Sequence, residues 1–399
     1  MSNKKTIVLI DNSIEGHKYA FAKLFTKYLL RLDCRVLLIL PEKTGLIYQE
    51  LHTELGALTD HLFHYDIELK QKKFKIHKSI DGLLTVINNW IEVKRIVRIA
   101  SKRSGFGVHL VFFCWLDDFV TNYLPWQFVQ TWFPYKWSGL YFHPWYLFGI
   151  DYNKVSMSSQ DNVLKAANFI GAGVHDQILA KKLSDRVKKP ILYFPELADG
   201  SKPLHSYELA LDIRSKAKGR PVVGLIGLAK RKGFLHLIDV IYSDSDQQCF
   251  YFIAGSISTS DYQQSENGKV EIFLDNLPSN VFYYPAAIPE GEKINAVISS
   301  IDILFLVYHN FKSSSNFLTK AAIFKKLVIG VDAFWIGENI RAFQLGAVVT
   351  GDDPVITLGA IIHLYHNYYG FKANWADFLA INGEASLTPV FRELLSYAD

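Results

Sequence analysis

A run of cations follows an apolar segment at residues 221–233, and its residue types suit a diphosphate. The segment PVVGLIG is apolar and rich in β-formers, and Lys230, Arg231 and Lys232 follow it, just before Gly233. A diphosphate needs positive charge at short range without a bulky wall, and this arrangement supplies both. Gly227, Lys230, Arg231 and Lys232 are therefore predicted to bind one. The alternative is an exposed basic turn.

A second polar cluster precedes the predicted helix FLTKAAIFKK. It consists of Ser313, Ser314, Ser315 and Asn316, and Tyr308 and His309 lie shortly before it. One hydroxyl is expected at a helix N-cap, but three in a row predict an anion cradle of hydroxyls and backbone N–H groups. Simple capping remains the alternative.

Two further segments end predicted strands. Glu15-Gly16-His17 follows the first strand, where glycine permits close backbone approach and the helix N-terminus offers N–H groups to an anion. A glycine turn with a solvent-facing histidine is the alternative. His143 ends a second strand and could bond a sugar hydroxyl or a phosphate, although a core histidine is equally expected. Asp117 and Asp118 end a third, and at most one of them faces a ligand; otherwise they cap a helix.

Several signatures are missing from the sequence. There is no GxxxxGK[ST], no HExxH and no CxxC. The sequence therefore predicts no metal site and no bound cofactor.

These segments belong to two successive series of strands and helices. The runs TIVLI (6–10) and PVVGLIG (221–227) each open a βαβ unit. Alternating strands and helices predict an α/β fold of two doubly wound Rossmann-like domains that face a cleft, with ligands at the carboxyl ends of the strands. Domains are expected over 1–200 and 201–374, with a helix at about 375–399 returning to the first. Other strands are predicted at 35–41, 108–114, 138–143, 167–171, 190–194, 248–255, 280–284, 302–307, 327–331 and 347–349.

Composition narrows the protein class. The 399 residues are 49% hydrophobic and 21% charged, as in folded proteins. The three cysteines lie in apolar runs, and no segment is long and apolar enough for a signal peptide core or a membrane span, so a reducing, cytoplasmic location is expected. Ten Lys/Arg against four Asp/Glu over residues 66–103 indicate a solvated helix face or a surface for anionic lipid. No nucleic-acid motif accompanies them.

The order of these segments resembles the GT-B glycosyltransferases of family 4 over nearly the whole chain. The matching segments are Glu15-Gly16-His17, Phe142-His143-Pro144, residues 194–199 (FPELAD), residues 227–233, residues 299–303 (SSIDI) and residues 346–354 (GAVVTGDDP). Residues 314–322 resemble a sub-group with the pattern SSGxLxKAA, in which Asn316 replaces the glycine and Leu318 is the leucine. Lys312 and Lys320 stand where many members have a Glu-x7-Glu pair, and Leu228 stands where an arginine is common.

The resemblance implies transfer of a sugar from a nucleoside diphosphate sugar to a glycan or lipid-linked acceptor, with retention and without a metal. Arg231 and Lys232 would contact the diphosphate and His143 the sugar, and these three are the predicted catalytic residues. The remaining predicted donor contacts are Gly16, His17, Gly227, Lys230, His309, Ser314, Ser315, Asn316 and Leu318. A nucleotide-sugar epimerase, a non-catalytic binding subunit and a polyanion-binding module remain alternatives.

Overall fold

The chain folds into two compact α/β units. The structure, a computed structural model, describes residues 4–14, 17–70, 78–149, 155–156 and 158–399. The first unit comprises Met1–Pro195 with Glu384–Asp399, and the second comprises Glu196–Gly383. Each has its own apolar core.

The first unit is built on a five-stranded parallel sheet of order β3-β2-β1-β4-β5. Apolar runs such as RVLLIL are buried on both faces, as strands between helix layers must be. Its elements are β1 Thr6–Ile10, α1 His17–Arg31, β2 Arg35–Leu40, α2 Thr44–Leu55, β3 Leu62–Asp66, α3 Lys78–Ser104, β4 Leu110–Phe113, α4 Trp126–Trp132, β5 Trp137–Gly139, β6 Ala172–Val174, α5 Gln177–Val187 and β7 Ile191–Tyr193. The strands β6 and β7 pair in parallel.

The second unit repeats the scheme with a six-stranded parallel sheet of order β10-β9-β8-β11-β12-β13. Its elements are α6 Glu208–Ala217, β8 Val222–Ile226, α7 Phe234–Ser243, β9 Phe250–Ala254, α8 Gln264–Asp275, β10 Val281–Tyr284, α9 Glu292–Ser299, β11 Ile303–Leu306, α10 Asn316–Ile323, β12 Leu327–Val331, α11 Phe334–Phe343, β13 Gly346–Val349, α12 Pro354–His366 and α13 Trp375–Asn382. The strand order reverses between β8 and β11, and such a switch point opens a crevice at the carboxyl ends of the strands.

The last helix, α14 (Leu387–Ser396), packs in the first unit against α1. The unit boundary falls between Pro195 and Glu196, and the returning segment begins at Glu384. By contrast α13 stays with the second unit, because the fully buried Phe378 packs on Trp335 and Phe343 of α11. The sequence predicts the boundary at 200 and the returning helix from about 375, whereas in the structure the first unit ends at Pro195 and resumes at Glu384.

Three strands differ from the sequence-based expectation. The strand predicted at 138–143 covers only Trp137–Gly139, so His143 lies in the loop that follows it and does not end the strand. β3 was not predicted, because only Leu62 of LFHYD is buried at this sheet edge and no continuous apolar run marks the strand. The strand predicted at 167–171 forms instead at Ala172–Val174. Within the predicted range, Phe169 makes only an isolated bridge to Trp137.

Candidate functional site

The basic turn of the second unit lies at the switch point of its sheet. After β8, Gly227 has φ of 87°, a short 3-10 turn covers Lys230–Lys232, and Gly233 (φ 78°) precedes α7. A Cβ on Gly233 would lie 2.0 Å from the Val307 carbonyl oxygen, so only glycine lets the turn pack on the end of β11. The sequence thus brings the three cations to the carboxyl edge of β8 and β11.

The basic turn (Lys230–Lys232) and the serine loop (residues 313–316) meet at this edge. The backbone N–H of His309 donates to the Arg231 carbonyl at 2.8 Å. Lys232 Nζ lies 4.9 Å from the ring centre of Phe317, which follows Ser315 and Asn316 on α10. The exposed Arg231 guanidinium lies 5.5 Å from the ring of Phe311. The two predicted segments therefore converge on one place, although about eighty residues separate them in the chain.

Lys232 is held in an apolar setting. Its Nζ donates to the Ile226 carbonyl at 3.1 Å and lies 6.0 Å from the ring centre of Tyr308. Burial, and secondarily the neighbouring Arg231, lower the pKa of Lys232 to about 8. Because burial destabilises the charged form of Lys232, an incoming anion would stabilise this amine more than it would a solvent-exposed one.

Tyr308, which precedes the predicted anion cradle in the sequence, lies at this edge but is not among the predicted donor contacts. It is 2% exposed, and its hydroxyl faces Ser315 without a partner in hydrogen-bond geometry among the described residues. Burial raises the pKa of Tyr308, so the hydroxyl stays protonated and able to donate. Its position after a buried strand, directly before His309, was the available signal.

The serine loop is tied to the start of the second unit. The Ser314 hydroxyl donates to the carboxylate of Glu196, which is 5% exposed, and the Thr319 hydroxyl donates to the Glu196 carbonyl at 2.8 Å. Ser315 occupies the N-cap of α10 but makes no side-chain cap bond. The Leu318 side chain is fully buried, so any ligand contact by Leu318 would come from its backbone.

Lys320, at one of the positions where the resembling family has glutamate, points into the protein. It is 1% exposed, and its Nζ donates to Asn295 Oδ1 at 2.8 Å and to the Asp199 carbonyl at 3.1 Å. Burial lowers the pKa of Lys320. The geometry gives this lysine a structural role, since it joins α10 to α9 and to the segment after Glu196.

Lys230 and His309 face a different part of the same edge. Lys230 forms an ion pair with Glu266 at 2.7 Å, and His309 is exposed. Both line a cavity of about 460 Å³ that also includes Gly233. Among the predicted donor contacts, these two therefore line this cavity, whereas Arg231, Lys232 and the serines do not.

In the first unit the carboxyl edge of the sheet carries a carboxylate–imidazole pair. Asp117 Oδ1 accepts from the backbone N–H of His143 at 2.8 Å and lies 2.9 Å from His143 Nδ1. Because the carboxylate only accepts, Nδ1 is the protonated ring nitrogen. Asp117 therefore orients His143 instead of simply capping a helix, the alternative that the sequence analysis had left open.

A buried acid lies on the same edge. Asp11 is 3% exposed, its Oδ1 accepts from Lys18 Nζ at 3.1 Å, and Lys18 also reaches Asp118 at 3.5 Å. Burial raises the pKa of Asp11 to about 6, with Lys18 opposing the shift. Of the residues predicted nearby, His17 begins α1, whereas Glu15 and Gly16 lie outside the described residues.

Neither a metal cluster nor a spanning helix is found in the part of the chain that the structure describes. No group of three or more His, Cys, Asp or Glu is arranged to hold an ion. No helix among the same residues is long and apolar enough to cross a membrane.

Comparison with known proteins identifies the fold. No family model matches the sequence, and no curated protein matches it. A glycosyltransferase from Rickettsia africae superimposes with a TM-score of 0.66 at 14% identity, over 98% of this chain and 99% of that one. Sucrose-phosphate synthase from Thermosynechococcus elongatus gives 0.65 at 11%, over 98% and 100%. Anabaena HepE, in complex with UDP and glucose, gives 0.63 at 13%, over 98% and 99%. With its two Rossmann-like sheets and this full-length likeness, the chain has the GT-B fold of the glycosyltransferases.

Proposed function

We propose that this chain is a glycosyltransferase that moves a sugar from a nucleoside diphosphate sugar to a glycan or lipid-linked acceptor, in the synthesis of a surface polysaccharide or glycoconjugate. The observation that carries the proposal is the convergence of the basic turn and the serine loop at the carboxyl edge of β8 and β11. The complexes of HepE with UDP and with UDP-glucose support the donor class.

The chemistry of the reaction matches the charges at this edge. The bond between the anomeric carbon and the phosphate oxygen breaks, and the departing diphosphate gains negative charge. Arg231 and Lys232 would stabilise that charge, and the backbone N–H groups of the serine loop would add hydrogen bonds, each worth about 1.5–3 kcal/mol when a charged group takes part. The acceptor oxygen forms the new bond to the anomeric carbon, and its proton passes to the departing diphosphate. Because protein cations neutralise the leaving group, no metal is required in this proposal.

The first unit would act on the sugar and the acceptor. His143, with its tautomer fixed by Asp117, presents Nε2 as an acceptor for a hydroxyl proton of the sugar. Retention at the anomeric carbon is part of the proposal and follows the family that the sequence resembles.

The proposal is tested with the purified full-length chain and UDP-, GDP- and ADP-sugars. At least one is expected to raise the unfolding temperature and to release nucleoside diphosphate in the presence of EDTA. Loss of release with EDTA would contradict metal independence. Epimerised donor without release would favour the epimerase, and binding without turnover would favour a non-catalytic subunit.

We further propose that the first unit contacts an anionic membrane surface through α3. Lys94, Arg98 and Lys102 surround a groove of about 420 Å³ that Ile91 and Trp132 also line, with both apolar side chains about 40% exposed. Lys94 Nζ lies 4.2 Å from the Trp132 ring centre. Cations around exposed apolar side chains suit lipid headgroups. Flotation with phosphatidylglycerol vesicles, but not with neutral ones, is expected, and absence of co-flotation at low salt would remove this contact.

A further inference from the structure

The cavity of about 460 Å³ in the second unit has its own composition. The first turn of α7 forms one wall, and the residues that follow β11, β12 and β13 form the others. Neither Arg231, Lys232 nor the serines of the loop belong to its described lining. Its volume lies in the range that small ligands occupy in proteins. The cavity thus adjoins the proposed diphosphate site and shares Tyr308 with it, but Arg231 and Lys232 do not line it.

The charges around the cavity do not suit a phosphate. Its one lysine, Lys230, is already paired with Glu266, and Asp352 adds a second carboxylate. His236 pairs through Nε2 with the Thr357 hydroxyl, and burial lowers its pKa, so the imidazole is neutral at pH 7. An occupant of this pocket is therefore expected to be uncharged and rich in hydrogen-bonding groups.

Two residues at the rim hold unusual backbone conformations. Phe334 has φ of 53° and Asn310 has φ of 48°, and both line the cavity. Asparagine tolerates left-handed backbone, but for a bulky aromatic residue it is a genuine outlier. Glycine would adopt this conformation without strain. The phenylalanine at this position therefore provides an aromatic ring at the expense of backbone strain. Such strain concentrates at ligand sites.

We propose that this cavity binds a saccharide ring. The apolar C–H face of a sugar would lie on the Phe334 ring beside Lys312, whose Nζ lies 5.9 Å from the ring centre. The sugar hydroxyls would bond Asn310, His309 and Asp352, which together offer donors and acceptors. The proposal rests on the proposed transferase function for the source of the sugar, which is either the donor or the acceptor.

Saturation-transfer NMR on the full-length chain tests the site, with D-glucose, D-galactose, D-mannose and N-acetyl-D-glucosamine as probes. At least one sugar is expected to receive saturation from wild type, and this signal is expected to fall at least fivefold in Phe334→Gly. The matched control is Gln344→Gly, which removes an exposed side chain from the same left-handed conformation at the other end of α11 (φ 52°). Sugar binding by that variant should equal wild type.

The unfolding temperature of Phe334→Gly should stay within a few degrees of wild type, because glycine relieves the strained φ. No signal from any of the four sugars, or equal signals in Phe334→Gly and wild type, would overturn the inference. Displacement of the sugar by UDP alone would also overturn it, since the cavity would then belong to the nucleotide site.

Displacement experiments with nucleotides identify the source of the sugar and distinguish this inference from the proposed function. Displacement by UDP-glucose but not by UDP would identify the donor's sugar as the occupant, and persistence with both would identify the acceptor. If the chain binds a sugar but no nucleotide, the saccharide site is supported and the transferase function is contradicted. If the chain turns over a nucleotide sugar but binds no free sugar, the transferase function is supported and the saccharide site is contradicted.

Discussion

Lys232 carries its charge in a largely buried position, and this makes ligand binding depend on pH. Its pKa is lowered to about 8, mainly by burial. A bound diphosphate favours the charged amine, so binding takes up a proton once the pH exceeds about 8. We expect the Kd for UDP to rise several-fold, roughly 3- to 10-fold, between pH 7.5 and pH 9. Calorimetric titration across this range measures it.

Lys232→Met keeps the length of the side chain and removes the titrating group. It is expected to weaken UDP binding by about 10-fold or more, to abolish the change above pH 8, and not to lower the unfolding temperature of the free protein, because a buried cation has been removed. The matched control is Lys269→Met on the surface of α8, whose amine pairs with Asp239. A pH profile that Lys232→Met leaves unchanged would assign the dependence to another group.

Asp117 acts through His143, so its removal should affect turnover more than donor binding. Asp117→Asn can present its amide to Nδ1 and so favour the wrong tautomer. We expect kcat to fall roughly 10- to 100-fold with little change in the donor KM. Steady-state kinetics of Asp118→Asn provides the comparison, since Asp118 neighbours Lys18 and not His143. An equal loss in both variants would show that the pair with His143 has no special role.

At the scale of elements, α10 is fixed by contacts that cross its N-terminal turn. Glu196 accepts from Ser314 through its carboxylate and from Thr319 through its carbonyl. The buried Glu196 carboxylate, which accepts a hydrogen bond from Ser314 of the serine loop, would repel an incoming diphosphate. Glu196→Gln is therefore expected to tighten UDP binding roughly 3- to 10-fold while lowering stability by about 1–2 kcal/mol. Titration calorimetry and denaturant unfolding measure the two effects.

Thr319→Val separates these effects, because it removes a buried hydrogen bond to Glu196 without changing any charge. It should lower stability by about 1–2 kcal/mol and leave UDP affinity unchanged. Weaker UDP binding in Glu196→Gln would mean that the carboxylate positions the loop more than it repels the ligand.

Sequence patterns predicted the elements better than the contacts between them. Most strands of both sheets follow from apolar runs buried on two faces, and the meeting of the basic turn with the segment after β11 follows from the rule that parallel strands share a carboxyl edge. The partner of Ser314 did not follow, because Glu196 lies 118 residues away in the chain. The inward position of Lys320 was equally hidden, since charge alone predicts exposure. The sequence left Asp117 open between a ligand contact and a helix cap, because its partner His143 lies 26 residues away in the loop after β5.

At the scale of the whole molecule, the chain crosses between its units twice, and α14 completes the core of the first. Phe391 of α14 is 1% exposed and packs within 5.5 Å, between ring centres, of Phe25, Phe112 and Phe194. Residues from near both ends of the sequence therefore share one core, and a lesion in the last helix should destabilise the unit that begins the chain.

Phe391→Ala is expected to cost the first unit about 3–5 kcal/mol, because it empties a buried aromatic site. Nucleotide binding should survive, since the proposed diphosphate groups belong to the second unit. Differential scanning calorimetry with and without UDP measures both, because UDP should raise the midpoint of the second unit alone. Phe378→Ala, which empties a buried site in the second unit, should instead lower the UDP-sensitive transition. If Phe391→Ala lowered that transition as much as Phe378→Ala does, the two units would unfold as one cooperative body, and α14 would stabilise both.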